Sequence, residues 1–223
     1  VRRSPARRPR RVALAVLIAL AACGGDEPAL PAVVRVAAQP CDTPNRSFGF
    51  GVVIAEDLVA TAAHTVEGAR RQVSVDGHPA AVVAIDARTD LALLAVEVDA
   101  APGRIADGSP RHAIVAVPDR PIDVEILRTG PLVVRDTTDR ARYRREVHTF
   151  TPGVEDGTSG APLVDDDGRV LGIVVLDNPG RGVAYAVTGK ELANLVRDSN
   201  ELLSVHSGPS QRESSCDVRS SGT

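Results

Sequence analysis

GTSGAPLVDDDGRVLGIVV, Gly157 to Val175, sets a serine between two glycines and follows it with two apolar runs, 161–164 and 170–175, joined by an acidic turn that closes on Gly168. The two runs read as the arms of a hairpin, with Asp167-Gly168 as its turn. Serine and glycine dominate tight turns for backbone reasons alone, so on its own Ser159 is a turn residue. It becomes a nucleophile only if a base can take its proton and an acid can fix the tautomer of that base. The reading of this stretch depends on what the rest of the chain supplies.

Outward from it the pattern is one of many short strands. Runs over 49–54, 59–63, 72–75, 80–85, 91–96, 113–117, 124–127, 132–134, 146–151, 162–164, 170–176 and 182–187 are separated by turn signals, of which Asp76-Gly77 is the strongest. Aromatics make up 2% of the 223 residues and Trp is absent, so the core has to be built from Val, Leu, Ile and Ala, a composition that favours strands. The spacing predicts an all-β chain closed into barrels or a sandwich. One helix is signalled: Thr188 and Glu191 have capping-box spacing, and Leu192, Leu195 and Val196 continue an i, i+3, i+4 face. No internal repeat is visible in the sequence.

Candidates for the base are five histidines. His64 ends the small-residue run Ala60-Thr61-Ala62-Ala63, where a strand gives way to a turn, while His78, His112, His148 and His206 are expected to be solvated. For the acid, Asp90 stands at the mouth of the apolar run Leu91–Val96. A carboxylate there is costly to bury unless it is hydrogen-bonded, and a histidine N–H would supply the bond.

ATAAHTV, TDLALL and GTSGAPLVDDDGRVLGIVV, in the order His, Asp, Ser, resemble the three signature blocks of trypsin-like serine proteases. REVHTFTPGVEDGTSGAPLV and GVAYAVTGKEL are similar to the compact bacterial branch, which includes periplasmic stress proteases and actinobacterial membrane-anchored acid-resistance proteases. The resemblance spans about residues 45–198 and implies an all-β fold of two six-stranded antiparallel barrels with a C-terminal helix. It implies a serine endopeptidase without cofactor, acting on protein or peptide substrates. Residue by residue it implies Ser159 as nucleophile, His64 as general base, Asp90 as the group that orients it, and the amides of Gly157 and Ser159 as the oxyanion hole.

The chain departs from that family in three places. Thr158 stands where Asp or Asn is usual, so activation by an inserted amino terminus is not expected. Ala161 replaces a common glycine and adds a methyl beside the nucleophile. The base of the specificity pocket falls near Gly153 and Val154, and Val175, Leu176 and Asp177 form the wall that pairs with substrate backbone, with Asp177 where glycine often opens the pocket. No carboxylate occupies the position by which trypsin selects Arg or Lys. Small or apolar residues are therefore expected at the cleavage site; a basic side chain drawn by Glu155, Asp156 and Asp177 is the alternative, though loop acids are more often solvated. The competing classes are a trypsin-fold binding protein whose oxyanion hole does not form and a latent protease awaiting a signal.

Charge and cysteines bear on location. Six of the 26 Lys and Arg lie in residues 1–22 and none of the 29 acids does, so the remainder is acidic, which excludes nucleic acid as a partner. VRRSPARRPRR followed by VALAVLIALAA has the layout of an export signal, its apolar run too short to span a bilayer. Leu20-Ala21-Ala22-Cys23 resembles a lipobox, with Cys23 the lipidation site and the membrane a partner through that lipid. Cys41 and Cys216 remain as an even pair in an oxidising compartment and are expected to form a disulfide. The expected organisation is an export signal over 1–22, a lipid-anchored tether over 23–44, a peptidase domain over 45–206 and a polar tail over 207–223, placed in the cell envelope. The acidic turn Asp165-Asp166-Asp167 fails the spacing of a calcium loop, and no metal is expected.

Overall fold

The computed structural model describes residues 30–40, 45–69, 72–135 and 142–205. Twelve strands and two α-helices follow in the order β1 (Val33–Ala38), β2 (Ser47–Ala55), β3 (Leu58–Ala62), α1 (Ala63–Val66), β4 (Val73–Val75), β5 (His78–Asp86), β6 (Leu91–Ala95), β7 (His112–Val115), β8 (Ile122–Arg135), β9 (Arg142–Thr151), β10 (Pro162–Val164), β11 (Val170–Asn178), β12 (Val183–Thr188) and α2 (Gly189–Val205), with a 3-10 turn at Pro179–Arg181 between β11 and β12. They close two six-stranded antiparallel barrels, one in the order β1-β2-β3-β6-β5-β4 and the other β10-β11-β12-β9-β8-β7. Read from β7, the second order repeats the first, strand for strand. The internal repeat absent from the sequence is present in the topology.

Two elements differ from the sequence expectation. Val33–Ala38, read as part of a tether, is the strand that closes the first barrel, pairing with β2 on one side and with β4 on the other. Its Val34, Val36 and Ala38 are buried at alternate positions, the period of a strand with one face inward. The Pro- and Ala-rich flanks of so short a run hid that alternation. The runs 124–127 and 132–134 are one strand, β8, which continues through Gly130-Pro131. β7 pairs with Ile122 to Glu125, and among the described residues the rest of β8 has an edge with no partner strand, where a proline interrupts no ladder.

Three apolar clusters hold the molecule. One fills the first barrel around Val36, Val53, Val59 and Leu94, and one fills the second around Val115, Phe150, Leu163 and Val174. The third joins the barrels, bringing Val52, Leu91 and Leu93 against Val164, Ile173, Val187 and Leu192 of α2. Glu191 N lies 3.5 Å from Thr188 Oγ1, the forward half of the capping box. The Glu191 carboxylate does not turn back to complete it. It receives both Nη atoms of Arg88 at 3.1 and 3.4 Å and so ties the first barrel to the helix. That hydrogen bond raises the Arg88 pKa above its ordinary value, against the opposing effect of burial.

Candidate active site

The seam between the barrels brings together three residues far apart in the chain. His64 lies in the one-turn helix α1 at the end of β3, Asp90 closes the turn before β6, and Ser159 sits in the loop between β9 and β10. All three line a single cleft of 630 Å³, with Gly157, Val154, Val175, Leu176 and Asp177 on its walls.

Asp90 grips His64 twice. Its Oδ1 accepts the His64 backbone amide at 2.9 Å and its Oδ2 meets Nδ1 of the ring at 2.9 Å, while Ala63 N donates to the Asp90 carbonyl at 2.9 Å. Asp90 adopts φ +65°, a left-handed conformation that aspartate tolerates better than most residues, and this lets the turn aim its carboxylate back at α1. A carboxylate accepts, so Nδ1 carries a proton, and in the neutral ring Nε2 is the nitrogen with the lone pair. Among the described residues no hydrogen bond joins Ser159 to His64; such bonds are often long before a substrate is bound.

Sequence reasoning missed a third group at this pair. Arg145 of β9 is 7% exposed and donates from Nη1 to the same Asp90 Oδ2 at 3.3 Å. Its Nε is buried without a partner among the described residues, so Asp90 is the group that compensates this charge. The signal was the alternation in β9: Arg145 and Val147 share one face, and Val147 belongs to the cluster between the barrels.

The loop around Ser159 has two amides left over. Thr158 N donates to Glu155 O, Gly160 N to Val174 O and Ala161 N to Thr158 O. The amides of Gly157 and Ser159 donate to nothing among the described residues, and Gly157 at φ +87° gives the chain the turn that a side chain would resist. The loop is pressed against the first barrel: Phe50 N donates to Ser159 O at 2.8 Å, and a Cβ on Gly160 would stand 1.9 Å from Phe50 O. Ala161 is fully buried in the cluster of the second barrel, so its methyl is accounted for by core packing.

The pocket wall differs from its sequence reading. Gly153 is half-buried, beside the Asp177 carboxylate. Asp177, expected as a solvated loop acid, is half-buried, and its Oδ1 accepts from Val154 N at 3.2 Å. A Cβ on Gly153 would lie 2.7 Å from that oxygen. Glu155 does behave as a surface acid, pairing with Arg120 at 3.0 Å in the open, and Asp156 is exposed.

His148 is a further correction. It was expected to be solvated and is 1% exposed, its ring enclosed between Thr129 of β8 and Leu171 of β11. Its Nε2 lies 3.2 Å from Leu171 O and so donates, while Nδ1 accepts from Thr129 Oγ1 at 2.7 Å. Burial lowers its pKa below the usual 6.5, against the carbonyl of Leu171 and the more distant Asp107 and Glu146. Asp165 holds the β10–β11 turn through the amides of Asp167 and Arg169 and a 2.8 Å ion pair with Arg169 Nε. Cys23, Cys41 and Cys216 lie outside the described residues, and no helix among those described is long and apolar enough to cross a membrane.

Two barrels of the same strand order, with a serine, a histidine and an aspartate meeting at their seam, define a protein of the trypsin class. The chain belongs to the trypsin-like peptidase domain family, whose profile matches residues 49–173. It is 30% identical over 183 residues to serine protease Rv3671c of Mycobacterium tuberculosis, covering 73% of this chain and 45% of that protein. It is 34% identical over 138 residues to a probable periplasmic DegP-like serine endoprotease of Halomonas elongata, covering 57% of this chain and 29% of the other. The chain thus spans less than half the length of these relatives. The crystal structure of the Rv3671c protease in its active form superposes with a TM-score of 0.70 at 27% identity, over 82% of this chain and 84% of that one.

Proposed function

We propose that this chain is a serine endopeptidase in which Ser159 is the nucleophile, His64 the general base and Asp90 its orienting acid. The observation that carries the reading is the coincidence, in one cleft, of a histidine ring fixed by a carboxylate with a serine whose own amide and that of Gly157 have no partner among the described residues. A binding protein has no need of that pair of idle donors. A carbonyl undergoing attack does.

In the reaction Ser159 Oγ adds to the carbonyl carbon of the scissile peptide as His64 Nε2 takes the hydroxyl proton. The negative charge moves to the carbonyl oxygen, where the Gly157 and Ser159 N–H groups donate to it. His64 then returns the proton to the amine as the C–N bond breaks, leaving an acyl-enzyme. A water molecule repeats the sequence with His64 as base, releasing the acid and restoring Ser159. Asp90 keeps the proton on Nδ1 throughout and stabilises the imidazolium between the two transfers.

The export-signal layout of residues 1–22 and the envelope setting named for one relative support a place in the cell envelope, with Cys23 lipidated and Cys41 bonded to Cys216. Incubating the full chain with a fluorophosphonate tests the catalytic reading. Ser159 is expected to be labelled, and His64→Ala to abolish labelling while the fold persists. Cys23→Ser should release the protein from membranes, and thiol alkylation without reductant should spare Cys41 and Cys216.

A further inference from the structure

We infer that Asp177 gives the specificity pocket an anionic wall and that the enzyme cleaves after lysine or arginine. This rests on the proposed endopeptidase function. The inference reverses the expectation of small or apolar residues, which followed from the uncharged Gly153 and Val154 at the pocket base. The carboxylate that the base lacks is supplied from the facing strand.

Asp177 sits near the end of β11, two residues past Val175, where the β11–β12 register slips between Val174 and Leu176. From there its side chain reaches across to the 153–154 backbone. The Oδ1 to Val154 N distance is 3.2 Å, and the space where a side chain of residue 153 would begin is 2.7 Å from the same oxygen. The carboxylate therefore occupies the place that a residue-153 side chain would take, entering from the opposite wall. Asp177 shares the cleft with Ser159 and Gly157, and the pocket it lines is the one assigned above to the residue before the scissile bond.

The charge balance decides what that is. The two cationic or ionisable nitrogen groups on the cleft, Arg145 and His64, are both held by Asp90, and Arg120 is held by Glu155 at the rim. Asp177 has one hydrogen bond and no cation among the described residues. An apolar side chain entering here would strip water from a carboxylate that keeps most of its lone pairs unused, which costs far more than the apolar contact returns. A guanidinium or ammonium would satisfy those lone pairs, and a guanidinium could do so with two parallel donors. The walls suit the rest of such a side chain, since the 42%-exposed Leu176 offers an apolar surface for its methylene stem.

The test separates the pocket from the catalysis. The full chain carrying Ser159→Ala is titrated with benzamidine, a cation of suitable size, and with benzamide, its neutral counterpart. Benzamidine is expected to bind at least about tenfold more tightly, and adding Asp177→Asn should erase about 10- to 100-fold of that affinity while leaving benzamide unchanged, the range for a lost charged hydrogen bond. Equal affinities for the two probes would overturn the inference without any variant at position 177, so a misfolded Asp177→Asn cannot protect it. In parallel the protein with Ser159 intact is given a peptide library. Cleavage after Arg and Lys supports the inference, and cleavage confined to sites after Ala, Val or Leu overturns it while leaving the endopeptidase reading intact. Selective benzamidine binding with neither cleavage nor fluorophosphonate labelling would support the role of Asp177 and overturn the catalytic reading.

Discussion

At the scale of single residues, the His64–Asp90 pair depends on Arg145, whose guanidinium bonds the same oxygen that receives the histidine ring. Removing one partner of a buried ion pair leaves the other uncompensated, so Arg145→Leu is expected to lower stability by about 3 kcal/mol. Because Arg145 acts through Asp90, the variant should also lose turnover with little change in KM, and Arg145→Lys should recover part of it. Steady-state kinetics beside urea unfolding separates the two effects; a loss of stability with unaltered kcat would reduce Arg145 to a structural residue. Asp90→Asn reverses the preferred ring tautomer and should cost on the order of 10⁴ in kcat, together with a loss of stability because Arg145 is left without its counter-charge. The meeting of His64, Asp90 and Ser159 in one cleft was legible because each stands at a break in a pattern, at the end or the start of an apolar run. Arg145 was not, since a charge on an amphipathic strand looks solvated until a second barrel covers it. Asp177 was misread for the same reason: its neighbours Gly153 and Val154 are 23 or more positions away in the chain, and only the fold sets them against its carboxylate.

At the scale of elements, the nucleophile loop is held by its contact with β2. Gly160 has φ +86°, and any Cβ there would collide with the Phe50 carbonyl oxygen. Gly160→Ala should therefore push the loop off the first barrel, destabilising the protein by about 3 kcal/mol or more and removing fluorophosphonate reactivity together with it. A variant of normal stability and normal labelling would mean that the loop has room the structure does not give it. Most strands were legible from alternation and turn signals, and α2 from its cap and apolar face. β1 was hidden by its setting, and β8 was divided in two because Gly130-Pro131 is a strand breaker everywhere except along an edge with no partner strand. The capping box told where α2 begins, but its acid had a stronger partner in Arg88, which no local pattern could reveal.

At the scale of the whole molecule, folding buries a histidine as the neutral ring. His148 has its pKa lowered from 6.5 chiefly by burial, so the unfolded chain binds a proton near pH 6.5 that the folded chain refuses until the pH is lower. The unfolded state then holds more protons, and stability falls as pH drops below about 6.5 toward the native value, with the full contribution present above it. Urea unfolding at about pH 5 and about pH 7.5 should show this loss, and His148→Gln should show less of it. A slope unchanged by the substitution would assign the pH dependence to other groups. The repeated strand order of the two barrels was invisible in the sequence, because shared topology needs only matching apolar periods and turn positions, with no matching residues.

The claim on which the rest turns is that Ser159 is a nucleophile activated by His64 at a pair of waiting amides. Its most direct measurement is the labelling rate of the full chain by a fluorophosphonate, located by mass spectrometry and compared with the His64→Ala variant. A single adduct is expected on the peptide that contains Ser159, formed fast in the unmodified chain and slower by several orders of magnitude without the base. A folded chain that gains no adduct, or one that labels Ser159 equally well without His64, would contradict it.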